Sequence, residues 1–182
     1  EHTVSVDEQP HKANLEKIPQ LRPAFAENGT ITPANSSSIS DGASALLLAS
    51  EQAVEAHGLT ARARIVAHSR NSLAPEAFTL APIGAAEEVL AKAGWTVADV
   101  DLWEINEAFA MVTMLTIDAL KLDPTCVNVH GGACAQGHPI GSTGSRIIVT
   151  LMHALEHYGK KRGVAALCIG GGEATAVAIE LV

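Results

Sequence analysis

The sequence predicts an α/β protein, on three observations. Hydrophobic residues make up 47% of the 182 residues and aromatic residues only 3%, so the core must be built from closely packed Ala, Val, Leu and Ile. After about residue 40, short apolar runs alternate with segments of helical spacing. Glycines follow several of the helical segments, where helices commonly end. Together these features favour helices that approach a sheet through small side chains.

The first part of this pattern predicts strand and helix in strict alternation. The predicted elements are a buried strand at 43–48, a helix at 51–57, a strand at 63–68, a helix at 82–93, a strand at 100–105 and a helix at about 108–120. Gly58 and Gly94 are placed to end the first two helices.

The second part predicts a different ending. A short strand at 127–129 leads into a glycine-rich loop, and apolar residues on helical spacing predict a helix at 141–157 that Gly159 ends. Strands at 164–169 and 174–181 flank three glycines, and we expect them to form an antiparallel hairpin with a permissive turn.

The polarity of the chain changes once, near residue 40. Residues 1–40 are rich in Glu, Lys, Pro, Asn and Ser, whereas residues 41–182 carry the alternating pattern. A length of 182 residues fits one domain with a short additional segment. We therefore place a boundary there. Because the chain starts at Glu1 without an initiator methionine, we expect more chain upstream.

Charge and composition argue against several classes of partner. The formal net charge is −8 and no block of Lys or Arg occurs, so nucleic acid is not an expected partner. No apolar run approaches the ~20 residues of a membrane-spanning helix. Three cysteines do not make a disulfide framework and fit a reducing compartment, the cytoplasm or an organelle matrix.

Three short motifs each place one reactive polar side chain among glycines and apolar residues. They are Asn-Glu-Ala-Phe at 106–109, Gly-His-Pro-Ile-Gly at 137–141 and Cys-Ile-Gly-Gly-Gly at 168–172. Acyl transfer needs a nucleophile, a base and a pocket for the developing oxyanion. The motifs supply candidates for the base and the pocket more clearly than for the nucleophile.

Cys168 ends an apolar strand and precedes three glycines. The backbone N–H groups of Gly170 or Gly171 are then unhindered, which suits an oxyanion pocket beside the thiol. The alternative is that Cys168 is a small buried apolar residue of the sheet.

His138 lies between two glycines just before a predicted helix. A histidine there can take a proton from a thiol or donate a hydrogen bond to an oxyanion, because its pKa is near neutral. The alternative is a structural or merely exposed loop histidine.

Asn106 follows the end of a strand, where α/β proteins tend to place groups that face ligands. Its amide could hold a water or a substrate oxygen. The alternative is a helix N-cap, because a helix is predicted just after it.

Cys134, His130 and His138 are spaced four residues apart, which raises the possibility of a metal site. The intervening glycines indicate an irregular loop and no fourth ligand is evident, so we expect no metal. We assign Cys126 to the core.

The three motifs, in this order, resemble those of the thiolase family. Residues 21–25, 28–30, 41–43 and 127–132 also resemble thiolase segments. Thiolases have two similar halves, with the nucleophilic cysteine in the N-terminal one. The resemblance implies that 41–182 form a thiolase C-terminal domain, a mixed sheet covered by helices that is one half of a duplicated αβαβα layered architecture. Residues 1–40 would end the loop domain that covers coenzyme A.

The resemblance also implies a role for each motif residue. Cys168 would be the acid/base cysteine that takes the α-proton of acetyl-CoA or protonates the leaving enolate. His138 would activate the missing nucleophile and, with a water held by Asn106, bind the thioester oxygen. The Gly170 N–H would contribute to a second oxyanion pocket, and Glu107 would orient the network.

Coenzyme A contacts are implied in the same way for six residues, namely Ser37, Ala34, Asn35, Phe25, Ala108 and Phe109. The sequence departs from the family here, because residues 33–38 read Pro-Ala-Asn-Ser-Ser-Ser where the family usually has Ala-Gly-Asn-Ala-Ser-Gly. Ala34 and Ser38 thus stand where glycines are usual, and Pro33 stands where alanine is usual. Side chains with a Cβ narrow the approach to a ligand. An arginine of the covering loop is replaced by His11 or Lys12, so Lys12, Lys17 and Arg22 are the candidates for the nucleotide phosphates.

The function that the resemblance implies is acyl transfer between acyl-CoA and CoA, by Claisen condensation or by thiolytic cleavage of 3-ketoacyl-CoA. Coenzyme A and acyl-CoA would be substrates, with no tightly bound cofactor. The N-terminal half, on the same or a separate polypeptide, would complete the site in a homodimer or homotetramer. The alternative is a non-catalytic thiolase-like subunit that acts as a scaffold or acyl-CoA-binding partner in a heteromeric complex.

Overall fold

A computed structural model describes residues 3–7, 9, 11 and 13–182, and centres on one four-stranded sheet of order β1-β4-β3-β2. The strands are β1 (Ala63–Ser72), β2 (Leu102–Ile105), β3 (Arg162–Cys168) and β4 (Glu173–Leu181). Strand β4 pairs antiparallel with β1 and β3, whereas β2 and β3 run parallel. The mixed sheet and the C-terminal hairpin are therefore confirmed.

Helices cover both faces of this sheet. The α-helices with described bounds are α1 (Glu51–His57), α2 (Ala81–Ala93), α3 (Ala110–Leu120), α4 (Ala133–Gln136) and α5 (Thr143–His157). Helices α2 and α3 pack into the core on one face and α5 into the core on the other. The Ser50 hydroxyl caps α1 by accepting from the Ala53 N–H. Gly58 and Gly94 end α1 and α2 in the left-handed conformation, with φ of 59° and 68°, as predicted.

The core forms one layer on each face of the sheet. Strand β2 shows the division, because Trp103 and Ile105 pack into the layer that contains α2, and Leu102 packs into the layer that contains α5. Three alanines of β4 lie in the α2 layer, namely Ala174, Ala176 and Ala178. Small side chains on the sheet thus let α2 pack closely, as the composition predicts.

The predicted strand at 43–48 is wrong for this structure. These residues have no regular secondary structure, and the side chains of Leu47 and Leu48 are 85% and 70% exposed. A strand requires a partner for its backbone N–H and C=O groups, and none of the described strands lies beside this segment.

The predicted strand at 127–129 is also wrong. Val127 forms a single parallel bridge with Trp103, and Asn128 then turns the chain with a φ of 48°. The Asn128 side chain replaces the missing strand, because its amide bonds to both the N–H and the C=O of Ile105 at 2.8 and 2.9 Å.

None of the described helices has the length and apolar character needed to cross a membrane.

Candidate active site

The parallel pairing of β2 and β3 places two of the motifs at one end of the sheet. Ile105 is in register with Ala166, and the Asn106 N–H continues the ladder by donating to the Ala166 carbonyl oxygen at 3.0 Å. Asn106 therefore follows the carboxyl end of β2, and Cys168 occupies the carboxyl end of β3.

Cys168 is buried among the residues of the α2 layer, with 7% of its surface exposed. Burial raises the pKa of its thiol. The described residues alone therefore favour the protonated thiol, and a base must take its proton before Cys168 can accept one from a substrate.

The turn after Cys168 is fixed by Gly172. This glycine has a φ of 104°, and a Cβ on it would collide with the carbonyl oxygen of Leu73, whose N–H donates to Gly172 at 2.9 Å. Gly170 is exposed, with no atom within 4 Å of where its Cβ would stand. Its N–H has no acceptor in the described part of the chain.

His138 is held from both sides. Its N–H donates to the Ser38 carbonyl oxygen at 2.8 Å, and its ring Nδ1 lies 2.7 Å from the Thr143 hydroxyl. The preceding Gly137 packs directly on Ser40 with a φ of 88°, so only glycine fits there. The loop of His138 is thus attached both to residues 38–40 and to the start of α5.

The same hydrogen bonds define the protonation of the ring. The Thr143 hydroxyl lies 3.0 Å from the Pro139 carbonyl oxygen, which can only accept. When the Thr143 hydroxyl donates its hydrogen bond to that carbonyl, it can only accept one from the ring. Nδ1 then carries the ring proton, and Nε2 is left as the acceptor. Burial, aided by the Arg146 charge, lowers the pKa of His138, so the ring is neutral at pH 7.

Glu107 joins the asparagine motif to the glycine-rich loop. Its Oε2 accepts from the Cys134 N–H at 3.0 Å and its Oε1 from the Asn128 amide at 3.4 Å. Its carboxylate rests on Gly132, where a Cβ would collide with it. This carboxylate therefore orients the loop that leads to His138.

Asn106 is 2% exposed, and neither atom of its side-chain amide has a hydrogen-bond partner among the described residues. The alternative role as a helix N-cap is wrong, because α3 begins at Ala110 with Phe109 at the N-cap position. A buried amide without partners is rare in native proteins.

A small cavity lies where the N-terminal segment meets the asparagine motif. Ser37 donates twice to the Ala108 carbonyl oxygen, from its N–H at 3.2 Å and its hydroxyl at 3.1 Å. The cavity has a volume of about 140 Å³ and is lined by Gln9, Pro33, Ser36, Ser37, Ser38 and Cys134. Of the two residues that replace glycines, Ser38 lines the cavity, and its Cβ atom occupies space that a glycine would leave open.

The other residues expected at coenzyme A are placed more variably. Phe25 is 75% exposed and makes an edge contact with Phe109 at 6.0 Å between ring centroids. The Asn35 amide is used within its own loop, by the Thr32 N–H and the Thr30 carbonyl oxygen.

Ala34 and Arg22 are exposed and outside the cavity lining. Lys12 lies outside the described residues, so its expected phosphate contact is not placed.

The suggested metal ligands do not converge. The ring of His130 stacks on Tyr158 at 5.6 Å, and no group of three or more potential ligands is found within residues 3–7, 9, 11 and 13–182. Cys134 instead lines the cavity, where burial and the Glu107 carboxylate raise the pKa of its thiol to about 12.

Two charged residues near the site were missed by sequence reasoning. Glu104 is 2% exposed within β2, and its Oε2 lies 3.9 Å from Nη1 of Arg146 on α5. Burial raises the pKa of Glu104 to about 7, against the effect of Arg146. An acidic residue at an inward position of an apolar strand is unusual, and that signal was available at 102–105.

Comparison with known proteins identifies the family. Residues 59–181 match the family model of the thiolase C-terminal domain, and residues 1–52 match that of the thiolase N-terminal domain. The chain therefore belongs to the thiolase family, and the resemblance inferred from the motifs is confirmed. The first match ends at residue 52 and the second begins at residue 59. The domain boundary near residue 40 stays a prediction.

Named relatives extend this result. The cytosolic acetyl-CoA acetyltransferase of Mus musculus is 48% identical over 180 residues, which are 97% of this chain and 45% of the relative. The crystal structure of the Bacillus anthracis acetyl-CoA acetyltransferase matches with a TM-score of 0.92 and 41% identity, covering 97% of this chain and 45% of that chain.

A third match is the crystal structure of human mitochondrial 3-ketoacyl-CoA thiolase in complex with CoA. Its TM-score is 0.86 at 38% identity, and it covers 94% of this chain and 43% of that chain. The α/β thiolase-like fold is thus confirmed, and the chain spans less than half the length of these relatives.

Proposed function

We propose that this chain supplies the acid/base part of a thiolase active site, which transfers acyl groups between acyl-CoA and CoA. The supporting observation is a set of contacts that connect the cavity to two of the three motifs, those of Asn106 and His138. Cys134 lines the cavity and donates to Glu107, the neighbour of Asn106. His138 donates to Ser38, which lines the same cavity.

His138 is suited to act as the base. Its ring is neutral and held at Nδ1 by Thr143, so Nε2 can accept a proton from a thiol. The resulting Nε2–H can then donate to the thioester oxygen as negative charge develops there. One side chain thus serves both activation and oxyanion binding.

Cys168 would exchange the proton at the substrate α-carbon. Its raised pKa makes it a proton donor to the enolate in cleavage, and in condensation it must first be deprotonated. The exposed Gly170 N–H would stabilise the oxyanion of the second acyl group. Asn106 would hold the water that shares the thioester oxygen with His138.

The nucleophilic cysteine would come from the N-terminal thiolase half, on the same or a separate polypeptide. Acetyl-CoA acetyltransferases and a 3-ketoacyl-CoA thiolase both match this chain, and both condensation and thiolysis fit the site. We assign coenzyme A to the cavity beside Ser37, with its arm along Ala108 and Phe109, because these residues border one another.

The working protein would be a homodimer or homotetramer in a reducing compartment. The mouse relative is cytosolic by name and the human one mitochondrial, and either location suits three free cysteines.

The experiment combines two measurements on the complete protein that contains this chain. Intact mass identifies every chain in the sample, and a thiolysis assay with acetoacetyl-CoA and free CoA measures turnover. We expect a reactive cysteine beyond Cys126, Cys134 and Cys168, together with CoA-dependent loss of acetoacetyl-CoA. A protein with both halves and no turnover on acetoacetyl-CoA or longer 3-ketoacyl-CoA would favour the non-catalytic scaffold or binding subunit.

A further inference from the structure

Four buried polar atoms at one place in the fold lack hydrogen-bond partners among the residues that the structure describes. They belong to three side chains and are Glu104 Oε1, Asn106 Nδ2, Asn106 Oδ1 and Arg146 Nη1. An unpaired buried polar atom destabilises the folded state, so four such atoms in one region point to interactions that form in the working protein.

Another chain cannot supply the missing partners in this conformation. Each of the four atoms has less than 1 Å² of accessible surface within this chain alone. A partner polypeptide therefore does not reach them, and the groups that can supply the partners are the neighbouring side chains and any water enclosed among them.

The geometry allows such contacts. Glu104 faces Arg146 on the α5 side of the sheet. Asn106 lies two residues after Glu104, and its backbone N–H continues the hydrogen-bond ladder between β2 and β3. Side chains two residues apart on an extended strand share a face and lie about 6.6 Å apart along it. The glutamate and asparagine side chains together span that separation.

We propose that Glu104 is a positioning residue whose carboxylate, paired with Arg146, accepts a hydrogen bond from the Asn106 side-chain amide. At a pH above the raised pKa of Glu104, its carboxylate is ionised and only accepts, whereas the Arg146 guanidinium only donates. The pair therefore distinguishes the two nearly isosteric ends of the amide and selects one orientation. The second N–H and the oxygen of Asn106 remain for the enclosed water assigned to this residue above.

The charges around Glu104 are consistent with this role. Arg146 from α5 stabilises the ionised form of Glu104, whereas Glu107, from the loop after β2, opposes it. Both carboxylates in turn stabilise the charge on Arg146. Arg146 is thus the cation that holds Glu104 beside Asn106.

Replacement of Glu104 in the complete protein tests this role kinetically. This test rests on the proposed function, because Asn106 is assumed to act in turnover. Glu104→Gln keeps the shape but weakens the pairing with Arg146, and we expect kcat for condensation to fall tenfold or more while KM for acetyl-CoA changes less than threefold. Arg146→Lys should retain more activity than Arg146→Met, because it keeps a cation.

A double-variant cycle separates positioning from a general structural effect. If Glu104 acts through Asn106, Glu104→Gln lowers kcat less than twofold further in an Asn106→Ala background. If the double variant instead loses kcat by the product of the two single-variant factors, the proposal is overturned. Glu180→Gln is the matched control, because Glu180 is also paired with arginines but lies on β4, and we expect its kcat to equal that of the parent.

A high-resolution crystal structure of the complete protein gives a readout that does not depend on turnover. We expect Glu104 Oε within 3.2 Å of Asn106 Nδ2. A separation above 3.5 Å, with other groups bonded to the amide, would overturn the positioning role even in an active enzyme. If the contact is present in a protein that has no thiolysis activity, the positioning role stands and the proposed function is rejected.

Discussion

His138 combines the features that a general base needs at neutral pH. Burial and the Arg146 charge lower its pKa, and Thr143 occupies Nδ1 at 2.7 Å. The neutral ring therefore persists to lower pH than in a free histidine, with the basic nitrogen directed away from Thr143.

Replacement of His138 should impair both stages of the reaction. We expect His138→Ala in the complete protein to lower the rates of nucleophile acylation and of condensation by about 10²–10⁴-fold, the usual contribution of a general base. Thr143→Val, which removes only the Nδ1 partner, should give a smaller loss. Rapid-quench mass spectrometry measures acylation, and an unchanged acylation rate in His138→Ala would contradict the role.

Glu104 should make stability depend on pH. Its folded pKa of about 7 lies above the ordinary 4.5, so the folded state retains a proton that the unfolded state releases. The free energy of unfolding contributed by this residue is therefore fully present below pH 4.5 and falls as pH rises towards 7.

The Glu104→Gln variant removes this titration. Relative to the parent, its free energy of unfolding should rise by as much as about 3 kcal/mol between pH 5 and pH 8, since one pKa unit corresponds to about 1.4 kcal/mol. The pairing with Arg146 adds no separate term, because its effect is already contained in the folded pKa of Glu104. Urea unfolding of the complete protein at both pH values measures the difference, and a pH-independent difference would refute the raised pKa.

At the level of elements, the hairpin of β3 and β4 depends on its turn. Gly172 adopts a φ of 104° and packs against the Leu73 carbonyl oxygen, whereas Gly170 faces open space. The turn therefore ties the end of β3 to the segment that follows β1.

Substitution within this turn should have unequal effects. Gly172→Ala should lower the free energy of unfolding by at least about 2 kcal/mol, because it adds backbone strain and a collision with backbone. Gly170→Ala should change it by less than about 0.5 kcal/mol, as is usual for exposed sites. Thermal or urea unfolding compares them, and equal effects would contradict the described turn.

The sequence predicted most elements because their signals are local. Capping glycines and helical spacing located α1, α2 and α5, and the apolar run before three glycines located β3. The errors at 43–48 and 127–129 have a different origin, because a strand exists only where a neighbour pairs with it. Nothing local shows that Asn128 takes a positive φ and pairs through its side chain.

Prediction of the site was similarly uneven. Motif residues were found because reactive side chains stood among glycines, and their roles stay predictions. Glu104 and Arg146 were missed because 42 positions separate them in the sequence and only the packing of α5 on β2 joins them.

At the level of the whole molecule, the proposed function requires a surface that contacts the N-terminal thiolase half, and we propose residues 43–48 for it. They belong to the stretch that matches the N-terminal domain model, and Leu47 and Leu48 are largely exposed. Large exposed apolar side chains in a potential strand favour pairing with another sheet.

We expect this segment to be a paired strand in the complete protein. Its amides should then exchange with deuterium at least about 100-fold more slowly than those of an exposed loop. Residues 26–29, which are largely exposed, provide the comparison within the same protein. Hydrogen exchange followed by mass spectrometry measures both segments, and equal exchange would show that 43–48 stays unpaired.

The central claim is that Cys168 handles the α-carbon proton while another cysteine carries the acyl group. The most direct measurement compares parent and Cys168→Ala proteins, in complete form, for acetyl transfer to the enzyme by intact mass and for acetoacetyl-CoA formation. We predict that Cys168→Ala still gains one acetyl group but forms acetoacetyl-CoA at least about 10³-fold more slowly, in the range of a lost proton-transfer group. Equal loss of both steps, or full condensation activity in the variant, would contradict the account.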